Sequence, residues 1–213
     1  MIDAIIKAMT KNALILALFA LLATSLIGAT YWLTQDTINQ QAKIQLSKRL
    51  DQVIAPQSHD NDLIKSCQYI SDPALGPNPP HLLFLAKKEG KLMGAAIEAI
   101  APDGYSGNIN ILIGFNENAA ISGVRILRHN ETPGLGDKIS KRVSNWVDAF
   151  VGKKPTSNQD PRWSVKKDGG DFDQFTGATI TPRAVVKAIK KASVYYQAHY
   201  AEFLSLNHPC GDL

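Results

Sequence analysis

Cysteine is scarce in this chain: the 213 residues include two, Cys67 and Cys210. They form neither Cys-x-x-Cys nor Cys-x-x-Cys-His, so neither an iron–sulfur ligand set nor a c-type haem attachment is encoded. Any redox chemistry would have to be borrowed from an organic cofactor. Outside the cytoplasm the two cysteines could form a disulfide tying the tail to the early part of the domain; two free thiols are the alternative. The histidines His59, His81, His129, His199 and His208 have no metal-ligand spacing, and no metal is expected. A glycine fingerprint of the dinucleotide-binding kind is also missing, so a pyridine nucleotide would bind elsewhere. The formal net charge of +4 is modest. No run of lysine and arginine is interleaved with aromatics, which argues against nucleic acid as a partner.

What is present begins with a long apolar run. Residues 13–33, ALILALFALLATSLIGATYWL, carry no charge and suffice to cross a bilayer core as a helix. Tyr31 and Trp32 end the run where amphipathic rings favour the headgroup layer. Lys7 and Lys11 precede it, and the next positive charge is Lys43, a bias that places residues 1–12 in the cytoplasm and the bulk of the chain on the other side. A cleaved secretory signal, with its site after Ile27-Gly28-Ala29, is the competing reading. The length of the run and its aromatic boundary favour a retained anchor.

Residues 34–81 read as a membrane-proximal helix followed by a connector. Ile38, Ile44, Leu46, Leu50 and Val53 recur at helical spacing. From Ala55 to His81 the prolines Pro56, Pro73, Pro77, Pro79 and Pro80 argue against regular structure. Leu82–Ala86 and Lys91–Ile100 are then expected as strands around the turn Lys87–Gly90, and Asn108–Phe115 and Ala120–Leu127 as a second pair. Alternation at Ile109, Ile111 and Ile113 predicts one face packed on a core. The chain therefore reads as α+β, with one domain over residues 82–206 built on a small, largely antiparallel sheet, and a short tail over 207–213.

Two glycine-bearing loops interrupt this pattern: Pro102–Gly107, containing Gly104-Tyr105-Ser106-Gly107, and Glu131-Thr132-Pro133-Gly134-Leu135-Gly136. After the second, Ile139, Val143, Trp146, Val147 and Phe150 recur as on a helix, which makes Trp146 a core residue. Residues 151–170 read as a loop with Trp163-Ser164-Val165 as a short strand. A third motif follows, Asp173-Gln174-Phe175-Thr176-Gly177-Ala178-Thr179. Thr181 before Pro182 reads as an N-cap followed by proline at the first helical position, opening a helix over 182–206 with Val185, Ile189, Ala192 and Tyr196 along one stripe. Arg183, Lys187, Lys190 and Lys191 are expected to face water. A helix N-terminus offers unpaired N–H groups and a positive dipole end, which suit a phosphate. The hydroxyls of Thr176 and Thr179 stand beside it.

Asp-x-x-Thr-Gly-Ala-Thr resembles the acceptor sequence for covalent flavin mononucleotide (FMN) in the G subunit of Rnf (Rsx) electron-transport complexes. It is also similar to that of the related C subunit of the sodium-translocating NADH:quinone reductase. Gly-Tyr-Ser-Gly, Glu-Thr-Pro-Gly-Leu-Gly and Thr-Gly-Ala-Thr occur in the order of that flavin domain, and the single N-terminal anchor fits the Rnf protein. The resemblance covers roughly residues 82–200. It implies a phosphoester between FMN and Thr179, with Thr176, Gly177 and Ala178 forming the turn and Asp173 serving recognition by a flavin-transferring enzyme. It further implies that Thr132, Gly134, Leu135 and Gly136 flank the flavin ring, with Glu131 and Tyr105 nearby and His129 adjacent.

On this resemblance the chain is an electron-carrying subunit of a bacterial inner-membrane complex that couples electron transfer between ferredoxin and NAD to sodium or proton movement. Its flavin domain would be periplasmic, its partners the other subunits, and no residue of its own would catalyse the net reaction. A membrane-anchored scaffold with Thr179 unmodified and a flavin-based redox sensor are the alternatives.

Overall fold

The computed structural model describes residues 2–77 and 79–211. Residue 1 of the expected N-terminal segment, residue 78 of the connector and the last two residues of the expected tail lie outside them. The chain divides into two units, Met1–Gln45 and Leu46–Leu213.

The first unit is helical. Helix α1, Ile2–Asp51, runs through it and ends in the second unit. The expected span 13–33 lies within α1, whose Met9–Asp51 portion contains a window long and apolar enough to cross a membrane. Its side chains suit an apolar surrounding: Leu14, Leu16, Leu26 and Trp32 are each more than 70% exposed. The hydroxyls of Thr24, Thr30 and Thr34 each donate to the carbonyl four residues back at 2.8 Å, so they need no water.

In the second unit, β1 (Cys67–Ile70), β2 (His81–Lys88), β3 (Lys91–Gly104), β4 (Gly107–Asn116) and β5 (Ile121–Arg128) form a five-stranded sheet in sequence order, each neighbour antiparallel. The β2–β3 turn uses Glu89 and Gly90 at φ 52° and 76°, the left-handed pair that matches strand twist in a two-residue hairpin. The β3–β4 hairpin is equally tight, with Gly104 opposite Gly107 across Tyr105-Ser106. Helix α2, Ile180–His199, lies on one face. Its stripe Val185, Ile189, Ala192 and Tyr196 is fully buried with Ile109, Ile111 and Ile113, and Tyr196 stacks on Phe115 at 4.3 Å. Burial contributes roughly 1.5–3 kcal/mol for each valine or isoleucine in that set.

The structure corrects several expectations. The sheet is covered on both faces, because Leu112, Phe84 and Ala96 point away from α2 and pack with Leu50, Val53 and Ile54 at the end of α1. Room for that second layer comes from Gly114 and Gly123, partners on adjacent strands. A Cβ on Gly114 would stand 2.2 Å from the Val53 carbonyl oxygen, and one on Gly123 would stand 2.7 Å from Val53 Cα. The Ser122 hydroxyl donates to that same carbonyl at 2.5 Å.

The connector 55–81 is not devoid of regular structure, since it holds β1. That strand pairs with β2 and receives the tail on its other edge: the Tyr69 N–H donates to the His208 carbonyl at 2.7 Å, and a Cys67–Cys210 disulfide joins the two segments. Residues 136–150 form two 3-10 turns, Gly136–Ile139 and Trp146–Phe150, instead of one helix. Between the turns the Ser140 carbonyl accepts from the Val143 and Ser144 N–H groups. The Ser144 hydroxyl then donates to the Lys138 carbonyl and accepts from the Trp146 N–H, so side-chain bonds interrupt the ladder after one turn. Val143 is exposed. Trp163–Val165 contributes only a single bridge, Val165 to Phe172, and the last helix gives way to a 3-10 turn over Tyr200–Ser205. Lys190 is half-buried, whereas Arg183, Lys187 and Lys191 are exposed as expected.

Candidate functional site

Phe175, Thr176, Gly177 and Ala178 make a tight turn in which the Ala178 N–H donates to the Phe175 carbonyl at 3.1 Å. Gly177 occupies the third position at φ 80°, a conformation that type II turns require and side-chain-bearing residues resist. The approach to the turn is braced from outside. Trp146 donates its indole N–H to the Asp173 carbonyl at 2.7 Å and meets Phe175 edge-on, while Lys166 pairs with the Asp173 carboxylate at 2.6 Å. Arg183 forks onto Asp168 at 2.5 and 2.6 Å, and its guanidinium holds that carboxyl below the usual carboxylate range. Trp146 thus supports the 173–178 turn from a half-buried position.

The turn delivers the chain into α2 two residues earlier than expected. Thr179, not Thr181, is the N-cap residue, and its backbone is already helical (φ −83°, ψ −27°), so its side chain caps nothing. Thr181 lies inside the helix, 1% exposed, and donates its hydroxyl to Glu131 Oε2. Proline at 182 is tolerated because N–H groups of a first turn have no intrahelical acceptor. The outcome is one committed hydroxyl, on Thr181, and one uncommitted, on Thr179. No hydrogen bond engages the Thr179 side chain among the described residues, so none of them activates it as a nucleophile.

Three segments meet here. Tyr105, Glu131, Thr132, Leu135, Gly136, Gly177, Ala178 and Thr179 line one cavity of about 280 Å³, and Ile180 and Thr181 complete it. Of the other expected residues, Thr176 is exposed on the turn, Gly134 shapes its loop at φ 78°, and Asp173 is 68% exposed in side chain and outside the cavity. His129 stands behind the loop, its Nδ1 accepting from the Glu131 N–H at 3.2 Å. Glu131 is the link between segments. Its Oε1 accepts from the Ser106 N–H at 3.0 Å, in the β3–β4 hairpin, and its Oε2 accepts from Thr181. Gly136 leaves space for it, since a Cβ there would lie 2.7 Å from Glu131 Oε2 and 2.8 Å from Thr181 Oγ1.

Sequence reasoning missed Ile180, Thr181 and the Ser106 N–H. The signal for Thr181 was present but misread, because a threonine before proline resembles a cap whichever of the two threonines does the capping.

The cavity fits a flavin in part. At about 280 Å³ it lies just below the volume usual for ligand sites, room for part of a flavin nucleotide. Thr179, at the helix N-terminus, is the residue that would receive the phosphate end. Among the described residues no group of histidine, cysteine or carboxylate side chains could hold a metal ion.

This fold, with a Thr-Gly-Ala-Thr turn entering a helix over a glycine-lined cleft, is that of an FMN-binding domain, and the family of that description matches residues 104–194. The family described as RnfG N-terminal region matches residues 1–53. Over 203 residues the chain is 54% identical to the G subunit of the ion-translocating oxidoreductase complex of Aliivibrio fischeri strain MJ11, covering 95% of this chain and 97% of the relative. It is 50% identical over 207 residues to the corresponding protein of Photorhabdus laumondii, covering 97% and 99%. With that of Vibrio cholerae strain O395 the identity is 49% over 205 residues, covering 96% and 98%. The chain belongs to the family of G subunits of ion-translocating oxidoreductase complexes.

Proposed function

We propose that this chain is the subunit of an ion-translocating oxidoreductase complex that relays electrons through FMN held by a phosphoester on Thr179. As a family member it is one part of an enzyme complex and is not expected to catalyse the net reaction alone. The observation that carries the reading is the free hydroxyl of Thr179, set at a helix N-terminus on the wall of a cavity formed by three loops that are far apart in sequence.

When bound, FMN supplies electron acceptance and donation. The protein's part is to position it. Thr179 fixes the phosphate end, and the first turn of α2 offers its dipole to the phosphate charge. Leu135 and Tyr105 offer apolar surface to the ring, Thr132 offers a hydroxyl to its edge, and Gly134 and Gly136 allow the loop backbone to approach closely. Asp173, outside the cavity, is assigned to recognition by the flavin-transferring enzyme. That enzyme is required because no base among the described residues reaches the Thr179 hydroxyl.

The remaining assignments stay within this proposal. The flavin domain spans 82–206, joined by the membrane-proximal helix and connector 34–81, and lies on the periplasmic side of a bacterial inner membrane, with residues 1–12 cytoplasmic and 13–33 crossing. Its partners are the other subunits, and the complex exchanges electrons between ferredoxin and NAD while moving sodium or protons.

The test is intact mass of the full chain from a host with an active flavin-transferring enzyme, with peptide mapping across residues 173–187. Added mass equal to FMN less water, on Thr179, is expected. An unmodified Thr179, with the transferase active on a control, would overturn the reading and leave the scaffold alternative in front.

A further inference from the structure

Glu131 is the one acidic side chain among the described residues that lines the cavity, and it is 5% exposed. No lysine, arginine or histidine forms an ion pair with it among the described residues, although the rest of the site is surrounded by paired charges: Lys166 with Asp173, Arg183 with Asp168, Lys187 with Asp103. Its compensation comes instead from donors that carry no formal charge, the Ser106 N–H and the Thr181 hydroxyl, and from the nearby N-terminal end of α2. The carboxylate is held in place by construction. Gly136 and Gly104 both lack the Cβ that would crowd it, at 2.7 Å from Oε2 and 3.0 Å from Oε1 respectively.

We infer that Glu131 is a positioning and potential-setting residue for the flavin: a fixed negative charge in the cavity wall that disfavours electron uptake by the ring. The inference rests on the proposed flavin site and deepens it. When a donor subunit passes one electron to the ring, the ring gains a negative charge unless a proton follows. Glu131 neither gives nor takes an electron or a proton in that step; its charge opposes the added one. In a partly desolvated cleft such an interaction is far less screened than in water. Among the described residues the cavity lining contains no cation to oppose it. Its donors make the charge cheap to bury and also prevent the side chain from swinging into solvent, so the ring meets a constant field.

The experiment is spectroelectrochemical titration of the covalently loaded full chain as wild type, Glu131→Gln and Glu131→Asp, with dithionite as reductant. Flavin content is read separately by mass and in-gel fluorescence. Gln keeps an acceptor for the Ser106 N–H and an amide that donates to the Thr181 hydroxyl, so loading is retained. Glu131→Gln is expected to favour one-electron reduction at least tenfold, a shift of about +59 mV for one electron. Glu131→Asp, which keeps the charge, is expected to stay close to wild type. Equal shifts in the two variants, or no shift in Gln with loading intact, would overturn the inference while leaving the flavin site standing. Absence of flavin in the wild type would instead overturn the site. Should Glu131→Gln fail to fold, Glu131→Ala removes the charge, leaves room for water on the two donors, and must raise the potential. No change there would overturn the inference as well.

Discussion

Two threonines two residues apart, Thr179 and Thr181, are expected to respond in opposite ways to removal of their hydroxyls. In most helices the N-cap threonine bonds a first-turn N–H, and its replacement by alanine costs about 0.5–2 kcal/mol. Thr179 makes no such bond. Thr179→Ala should therefore cost under about 0.5 kcal/mol, as for a surface position without a partner, and should abolish covalent flavin. Thr181 is buried and donates to the Glu131 carboxylate, a hydrogen bond to a charged group. Loss of such a bond costs roughly 1.5–3 kcal/mol. For a unit of this size about 2–4 °C of melting temperature corresponds to each kcal/mol, so Thr181→Val should melt roughly 3–12 °C lower.

The assay has two arms. Flavin-free protein, made without the transferase and held in detergent, is melted while the fluorescence of buried Trp163 and half-buried Trp146 is followed. Loaded protein is scored for flavin by mass. Thr179→Ala should melt within about 2 °C of wild type, within the surface range of about ±0.5 kcal/mol, and carry no flavin. Thr181→Val should melt early and, below its melting point, still accept flavin. Destabilisation of Thr179→Ala equal to that of Thr181→Val would show that Thr179 caps the helix after all. Flavin lost in Thr181→Val and kept in Thr179→Ala would mean that the two hydroxyls have exchanged roles, and the geometric reasoning would fall.

Three further outcomes follow from the packing. Gly136→Ala places a Cβ within 2.9 Å of three atoms of Glu131 and Thr181, so it should destabilise the unit by about 1–3 kcal/mol and reduce flavin loading, read by urea midpoint and in-gel fluorescence. The Cys67–Cys210 disulfide closes a separation of 143 residues, and the double replacement by serine should cost roughly 2–4 kcal/mol in a denaturant titration, with the tail at 206–211 becoming sensitive to protease. Asp160 accepts from the Arg162 guanidinium and the Thr156 N–H, which hold its carboxyl well below the usual carboxylate range. Its pKa falls on folding, so its contribution is fully present above about pH 4 and is lost only as the pH drops through the lowered value. Asp160→Asn should accordingly loosen the 151–172 loop to proteolysis at pH 7, with the difference from wild type closing only in strong acid.

The parts of the fold legible in the sequence are those fixed by neighbours in the chain. The hairpins β2–β3 and β4–β5 announce themselves by alternation and turn residues, and α2 by a stripe from Val185 to Tyr196. What escaped depends on distant partners. Cys67–Ile70 is too short and too close to prolines to read as a strand, and it becomes one because β2 lies on one edge and residues 208–210 on the other. The run from Ile139 to Phe150 has helical spacing, yet its burial is met by aromatic packing among Trp146, Phe150, Phe172 and Phe175, while Ser144 diverts the backbone. At the site, motifs named most of the cavity wall, but nothing local told that Glu131 reaches both the β3–β4 hairpin and α2.

That link explains why the site stands where it does. The β3–β4 hairpin and the start of α2 are brought to one end of the sheet by the packing of Ala184 and Ala188 and by the ion pair between Lys187 and Asp103 at 2.5 Å. Glu131 then fastens the loop after β5 to both of them. Thr181 is turned to Glu131, and Thr179, on the wall of the same cavity, is left with no hydrogen-bond partner for its side chain among the described residues. The bond from Thr181 to Glu131 secures the cavity wall, and among the described residues no hydrogen bond joins the cavity's carboxylate to the Thr179 hydroxyl, so Glu131 is not placed as its base. If Thr179 is the acceptor, as proposed, the described residues offer it no base, which is why an external transferase belongs to the proposal.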